Sequence, residues 1–276
     1  MSLEAIERFA RVHAPLLVIS GAGCSTGSGI GDYRDRDGEW KRPAPIQHQD
    51  FMKRPEARQR YWARSMVGWP SFGAAQPNPA HSALARLEAN GLVSAIITQN
   101  VDRLHQRAGS KSVMDLHGRL DKVVCMACGD ASDRAHMQER LLAVNPDFSA
   151  GRWRAAPDGD ADIEDHLVDQ VTVPDCLTCG GVLKPDVVFY GDSVPRERVE
   201  QAYEWTDGAG GLLVVGSSLM VFSSFRFCKR AQERNIPIAA VNVGRTRADD
   251  WLSVKLEARC EEAMPQIARR LEVAVG

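Results

Sequence analysis

The apolar run Leu16-Leu17-Val18-Ile19 passes almost directly into "GAGCSTGSGIGDYRD", Gly21 to Asp35, which places five glycines in eleven positions and then turns charged. A buried strand that ends in a glycine-rich turn belongs to an α/β sheet, where such a turn offers backbone N–H groups to a phosphate. The spacing differs from the usual dinucleotide fingerprint. After Gly21 and Gly23 the third glycine should fall at position 26, where Thr26 stands instead. Nor does a strand ending in an acidic ribose ligand follow about twenty residues on. A hydride-carrying NAD(P) oxidoreductase is therefore a poor reading of this loop.

The rest of the chain agrees with an α/β sheet. Asn78-Pro79 opens a helix with a capping residue and a proline at its first position, and Gly91 closes it. Strand-like runs follow at Val93–Thr98 and Val113–Leu116, with a short helix over Asp102–Ala108 between them. After residue 183 the texture returns at Val187-Val188-Phe189, Gly211–Val215 and Pro237–Val243. Short apolar runs alternating with helices predict a Rossmann-like parallel sheet covered by helices on both faces. The sheet domain is expected from residues 1–35, 82–120 and 183–276, with a helical part of a smaller domain at 36–81. Residues 121–182 read as an inserted zinc-binding module that carries a polar stretch, "AGRWRAAPDGDADIEDH".

That module holds four of the seven cysteines, as Cys125-Met126-Ala127-Cys128 and Cys176-Leu177-Thr178-Cys179, 47 residues apart. Two such knuckles supply the four thiolates of a tetrahedral zinc site, and with every position taken by sulfur the metal would be structural. An odd cysteine total without a secretion signal argues against a disulfide framework. Cys24, Cys228 and Cys260 read as small buried hydrophobes.

Composition narrows the partners. A formal net charge of −2 over 276 residues gives no electrostatic footprint for nucleic acid. No apolar stretch approaches the roughly 20 residues that span a bilayer, so no membrane partner is expected. The N-terminus, "MSLEAIERFARVHAP", reads as a short amphipathic helix rather than a signal or transit peptide, and a cytoplasmic location is expected.

In open α/β sheets ligands sit outside the carboxyl ends of the strands. The residues after each strand form a coherent polar set: the Gly21–Arg34 loop, Thr98-Gln99-Asn100-Val101-Asp102, Leu116-His117-Gly118, Gly216-Ser217-Ser218 and Asn242-Val243-Gly244. His117 stands out, because an imidazole titrates near neutral pH, about 6.5 when unperturbed, and suits a general base. His81 and His105 fall within helical patterns and read as capping or packing residues.

These motifs together resemble the sirtuin family. The carriers are Gly-Ala-Gly-x-Ser-Thr-x-Ser-Gly-Ile-x-Asp-Tyr-Arg, Thr-Gln-Asn-Val-Asp-x-Leu-His, Leu-His-Gly, the two cysteine pairs, Lys-Pro-Asp-Val-Val-Phe-Tyr-Gly-Asp and Val-Gly-Ser-Ser-Leu, in family order from about residue 5 to 272. Pro45-Ile46-Gln47, Gln59–Arg64, Val67–Pro70 and Gln76–His81 further resemble the class II branch, which includes the mitochondrial lipoamidase-type sirtuin.

The resemblance implies an NAD-dependent protein lysine deacylase that consumes NAD as co-substrate and carries one structural zinc. Products would be nicotinamide, the freed lysine and an O-acyl-ADP-ribose, and the partners acyl-lysine side chains of proteins. It implies Gly21, Ala22, Gly23, Ser25 and Thr26 at the pyrophosphate, and Tyr33 and Arg34 over the nicotinamide ribose. Ile30, Asp32, Asn100 and Asp102 would accept the nicotinamide amide, with Gln99 and Val101 nearby. Gly216, Ser217, Ser218, Asn242, Val243, Gly244 and Cys260 would line the adenosine half. His117 would be the base, supported by Asn100 and Asp102. A peptide would add as a strand beside Val187 and Phe189. Tyr61 and Arg64, three apart on one helical face, resemble a pair that grips acidic acyl groups. The chain departs from the family at Gly31, where proline is usual, which loosens the loop.

Two other functions stand beside this one. Protein ADP-ribosyl transfer uses the same NAD cleavage with another acceptor, and a zinc-ribbon module that senses NAD would need no turnover. The preferred acyl group, the protein targets and the oligomeric state are not legible in the sequence, a monomer being the default.

Overall fold

The computed structural model describes residues 2–41, 45–151, 153–156 and 159–272. Arg152, Pro157 and Asp158 of the polar stretch lie outside the described residues, as do 42–44 and 273–276 of the expected domains. In chain order the strands are β1 (Leu16–Ser20), β2 (Val93–Thr98), β3 (Val113–Asp115), β4 (Gly118–Cys125), β5 (Ala131–Asp133), β6 (Arg154–Ala155), β7 (Ala161–Asp162), β8 (Leu183–Val187), β9 (Gly211–Val215), β10 (Ile238–Val241) and β11 (Leu252–Leu256).

Two units divide the chain, one from Met1–Arg42, Gln76–Leu116 and Val194–Gly276, the other from Pro43–Ala75 and His117–Ser193. The first is built on a six-stranded sheet, ordered β11-β10-β9-β1-β2-β3, with all five neighbouring pairs parallel. All five residues of β1 are buried, which explains its unbroken apolar run. Leu16 and Val18 face one core with Leu84, Met264 and Ile267, whereas Leu17 and Ile19 face another with Leu212, Phe227 and Ala202. The period-two alternation survives, but each face meets helices. The helices Leu3–His13, Pro79–Ala89 and Cys260–Glu272 cover one face, and Arg196–Asp207 and Phe222–Glu233 the other. Strand order reverses between β1 and β9, which makes the ends of these two strands a topological switch point.

The helix Pro79–Ala89 begins as its sequence predicts. Asn78 accepts from Ala80 N at 2.8 Å and His81 Nδ1 accepts from Asn78 N at 3.3 Å, a reciprocal cap with imidazole in the place of a carboxylate.

In the second unit β4 lies between β5 and β8, antiparallel to both, and β6 and β7 form a short hairpin. The helix Pro55–Ala74 buries Tyr61, Trp62, Ala63 and Met66 in a core with Phe51, Val123, Met137, Leu141 and Phe189. The expected boundaries after 35, 81, 120 and 182 fall instead after 42, 75, 116 and 193, and packing explains two of these shifts. Leu183–Val187 belongs to this unit rather than to the parallel sheet, because it pairs antiparallel with β4. Residues 76–81 belong to the first unit, where Ala80 and its helix pack under the sheet. The strand expected at Val187–Phe189 ends at Val187, and Phe189 turns into the aromatic core 5.3 Å from both Phe51 and Tyr61. Among the described residues no helix is long and apolar enough to cross a membrane.

Candidate active site

In the first unit the loop after β1 packs on the loop after β9, backbone against backbone. Gly21 N donates to Val215 O at 3.1 Å, Gly23 N to Gly216 O at 2.9 Å, and Gly216 N to Val241 O at 2.9 Å. Three glycines are needed for this approach. A Cβ on Gly21 would meet Ser217 Cβ at 2.8 Å, and one on Gly23 would meet Gly216 O at 2.9 Å. Gly216 has φ +62, and its Cβ would lie 2.3 Å from Cys24 N. Gly216→Ala therefore combines left-handed strain with an overlap on backbone that cannot rotate away. It should cost at least about 2 kcal/mol of stability, read as a lower urea midpoint at unchanged slope.

The chain then makes two 3₁₀ turns, Ala22–Cys24 and Thr26–Ser28, with Thr26 Oγ1 donating to Gly23 O at 3.1 Å. Asn78 holds the turns from the side by donating to Cys24 O at 2.8 Å and Ser28 Oγ at 3.0 Å.

The loop after β2 meets the same turns through side chains. Ser25, fully buried, donates its hydroxyl to Asp102 Oδ2 at 2.7 Å. Asn100 Nδ2 donates to Gly21 O and Ser25 Oγ, both at 3.0 Å. Asp102 Oδ1 accepts from Leu104 N at 2.9 Å. Burial raises the Asp102 pKa above the ordinary carboxylate value, against those two hydrogen bonds. Gln99 Nε2 donates to Ser217 Oγ at 2.6 Å, and its carbonyl accepts from Ser224 Oγ at 2.9 Å. Arg103 and Leu219, next to Asp102 and Ser218, have φ of +64 and +57, so backbone strain is stored beside two of these loops.

The remaining expected residues of this unit fall into two groups. Ile30 is buried, Asp32 pairs with Lys41 at 2.5 Å, and Arg34 stacks over Trp40 at 4.0 Å while donating to Gly38 O at 2.7 Å. After β10, Asn242 Nδ2 donates to Val243 O and Gly244 O, and Gly244, at φ +81, approaches Arg36 so closely that a Cβ would lie 2.4 Å from its carbonyl oxygen. Cys260 opens the last helix, buried, with its thiol donating to Val241 O at 3.7 Å.

In the second unit the four cysteine Sγ atoms lie within 4.8 Å of one another. Cys125 and Cys179 Sγ are 3.5 Å apart, and Cys128 and Cys176 Sγ 3.8 Å. Each knuckle is a turn closed by a glycine: Gly129 N donates to Cys125 O at 3.0 Å and Gly180 N to Cys176 O at 2.9 Å, with φ of +76 and +70. A Cβ on Gly181 would press on Cys125 Sγ at 2.9 Å, so that glycine keeps the centre of the cluster open. The Cys128 and Ala127 amides point at Cys125 Sγ and lower its pKa, while the neighbouring thiols push those of Cys128 and Cys179 up, a competition that a cation bound among the four would relieve. Donor set and spacing fit one structural zinc.

His117 opens the second segment of this unit and is half-buried. Its carbonyl accepts from Val188 N at 2.8 Å, and Gly118 follows at φ +84 with Asp186 O filling its Cβ position at 2.1 Å. Tyr61 is buried, edge-on to Phe51 and Trp62. Arg64 does not stand open for a substrate carboxylate. Its Nη2 donates to Asp162 Oδ1 at 2.7 Å, and its Nε lies 2.9 Å from Asp160 Oδ2, an ion pair out of hydrogen-bonding line.

Sequence reasoning found the strand-end loops but missed what ties them together. Ser224 and the link from Asn78 to Cys24 carry no local signal, because each acts across the sheet on a loop distant in sequence.

Comparison with known proteins gives this arrangement a family. A sequence model of the Sir2 family matches residues 21–223. The chain is 56% identical over 260 residues to an NAD-dependent protein deacetylase of Xanthomonas campestris, covering 94% of this chain and 89% of that one. It is 46% identical over 271 residues to the mitochondrial NAD-dependent protein lipoamidase sirtuin-4 of Bos taurus, covering 97% and 86%. Among solved structures, a Sir2 complex with p53 peptide and NAD⁺ superposes with a TM-score of 0.77 at 28% identity over the whole of both chains. The chain belongs to the Sir2 family.

Proposed function

We propose that this chain is a protein lysine deacylase in which the loops after β1, β2, β9 and β10 hold NAD as co-substrate and His117 is the general base. The activity class rests on its relatives, which are NAD-dependent protein deacetylases, and on structural neighbours that bind NAD and peptide. The observation that carries the assignment is the Ser25–Asn100–Asp102 network, which fixes the glycine turns at the switch point.

Gly21, Gly23 and Gly216 allow the pyrophosphate to approach backbone, with Ala22, Ser25 and Thr26 supplying the adjoining groups. Asn100 and Asp102, with Ile30 and Asp32, hold the nicotinamide amide, and Gln99 and Val101 border the ribose. Tyr33 and Arg34 cover that ribose. Ser217, Ser218, Asn242, Val243, Gly244 and Cys260 line the adenosine half. The acyl-lysine carbonyl oxygen is a weak nucleophile and must be aimed at the ribose C1′ as nicotinamide leaves. His117 then takes a ribose hydroxyl proton so that the 2′ oxygen can attack the imidate carbon, and water then displaces the lysine amine to leave the O-acyl-ADP-ribose. A zinc held by Cys125, Cys128, Cys176 and Cys179 would have every position taken by sulfur and would serve the fold rather than this chemistry. The protein works in the cytoplasm on acyl-lysine side chains of other proteins. Incubation of the purified chain with NAD and an acetyl-lysine peptide, read by mass spectrometry, should yield nicotinamide, free lysine and O-acetyl-ADP-ribose in equal amounts. Nicotinamide release coupled instead to a mass gain of ADP-ribose on the peptide would favour ADP-ribosyl transfer.

Asp160 and Asp162 bear on the choice of acyl group. An acidic acyl chain would have to displace two carboxylates from Arg64, so the charge pattern favours a longer neutral chain over succinyl or glutaryl. Competing lipoyl, acetyl and succinyl peptides should rank in that order, with Arg64→Met leaving the ranking unchanged. A succinyl preference that disappears in Arg64→Met would restore the carboxylate-gripping role.

A further inference from the structure

The loop that leaves β9 leads into a charged and aromatic face that the proposed NAD contacts leave unused. Phe222 opens the helix Phe222–Glu233 with 52% of its surface exposed, so its ring is open to a ligand. Arg226 and Arg247 bring their guanidinium carbons to 5.3 and 5.9 Å from the centre of that one ring. We infer, resting on the deacylase reading above, that Phe222, Arg226 and Arg247 form a receptor for acidic residues that flank the acyl-lysine in a protein substrate.

Arg247 is held in place. Its backbone N–H donates to Ser218 O at 2.8 Å, its Nη1 donates to Met220 O at 3.3 Å, and its guanidinium lies 4.3 Å over Phe225, itself stacked on Trp251. Arg226 leans on Phe222, and its Nε is buried without a hydrogen-bond partner. Such an orphaned donor calls for an acceptor. Among the described residues neither arginine has a carboxylate partner. The charged groups around them do: Lys229 and Arg230 pair with Glu233 and Asp207, and Asp249 is taken by Lys255 and Thr246. Two cations beside one ring repel each other, and a carboxylate placed between them relieves that repulsion while accepting from both. The N-terminal end of a 12-residue helix adds partial positive charge at the same place. The Phe222 ring offers apolar contact to the methylene groups of an incoming Glu or Asp.

Position in the fold selects the occupant. Ser224, within one helical turn of Phe222, donates to the Gln99 carbonyl at 2.9 Å, and Gln99 borders the ribose in the reading above. The residues beside an acyl-lysine that reaches that ribose are therefore the groups delivered to this face. A nucleic acid fits less well, because a formal net charge of −2 gives the chain no wider basic footprint.

The test uses three labelled acetyl-lysine peptides that differ only in the two residues on each side of the lysine, which are Glu, Gln or Lys. With NAD, the wild type should favour the Glu peptide over the Gln peptide by about five- to tenfold in kcat/KM, through KM, and the Lys peptide should rank last. The preference should shrink in about 0.5 M salt, where exposed charges are screened. Arg226→Gln/Arg247→Gln should bring the ratio of Glu to Gln peptide close to one. Should that double variant fail to fold, Arg226→Gln alone, whose side chain the fold does not hydrogen-bond, should lower the ratio at least about twofold. A wild type indifferent to the flanks overturns the receptor, as does a Glu preference that survives these substitutions. The same peptides are titrated with the protein by fluorescence anisotropy in the presence of NAD. Absence of turnover from all three refutes the deacylase reading. Tighter binding of the Glu peptide that is lost in the variants then keeps the receptor, and binding that the variants leave unchanged overturns it as well.

Discussion

Replacing His117 with alanine should lower deacylation by roughly 10²–10⁴-fold, the usual contribution of a positioned general base. The fold should not change. The backbone here is set by the Val188 N–His117 O bond and by the closeness of Gly118 to Asp186, neither of which involves the imidazole. Nicotinamide exchange should fall less than deacylation, because the base acts after the glycosidic bond has broken. Peptide mass spectrometry and labelled-nicotinamide exchange separate the two steps. A variant that retains more than about a tenth of the wild-type rate would remove His117 from the role.

Loss of one zinc ligand should be as severe, through stability rather than chemistry. Structural zinc contributes about 10–16 kcal/mol of apparent binding energy at neutral pH, and a whole domain is stable by only about 5–15 kcal/mol. The cluster also sits where failure spreads. Cys125 is the last residue of β4, and Cys125, Cys176 and Leu183 pack in the same core as Trp62. The Trp62 indole N–H donates to Leu183 O at 3.1 Å, so its near-ultraviolet circular dichroism reports on that core. Cys176→Ala should lose the zinc, that signal, solubility and activity together. A soluble, fully active single-cysteine variant would contradict the assignment.

Most of the parallel sheet was legible because its central strands are mainly apolar, whereas the edge strand β11, with Ser253 and Lys255, offers no such run; the cap at Asn78 was legible because its residues are adjacent in sequence. The edges of the units were less so. Val187-Val188-Phe189 has the composition of a parallel strand, yet the strand that forms is Leu183–Val187, and only its partner β4 shows that it pairs antiparallel. For the candidate site, strand-end position singled out Asn100, Asp102 and Ser217. The bonds that tie them into the loops run to Ser25 and from Gln99 across the sheet, and short-range pattern does not contain them. Arg64 shows the opposite limit. Spacing put it on one face with Tyr61, but Asp160 and Asp162, nearly a hundred residues on, set its charge environment.

The order of strands in the parallel sheet has a consequence for how the protein is made. β1 lies between β2 and β9, yet all of the second unit is encoded before β9. A growing chain thus presents β1 with one edge unpaired while the second unit is translated and takes up its metal. Contacts that close so late are slow to form and leave apolar strand edges exposed to other chains. The time needed to make the 77 residues His117–Ser193 therefore sets how long the β9 side of β1 stays without its partner, whatever the stability of the finished fold.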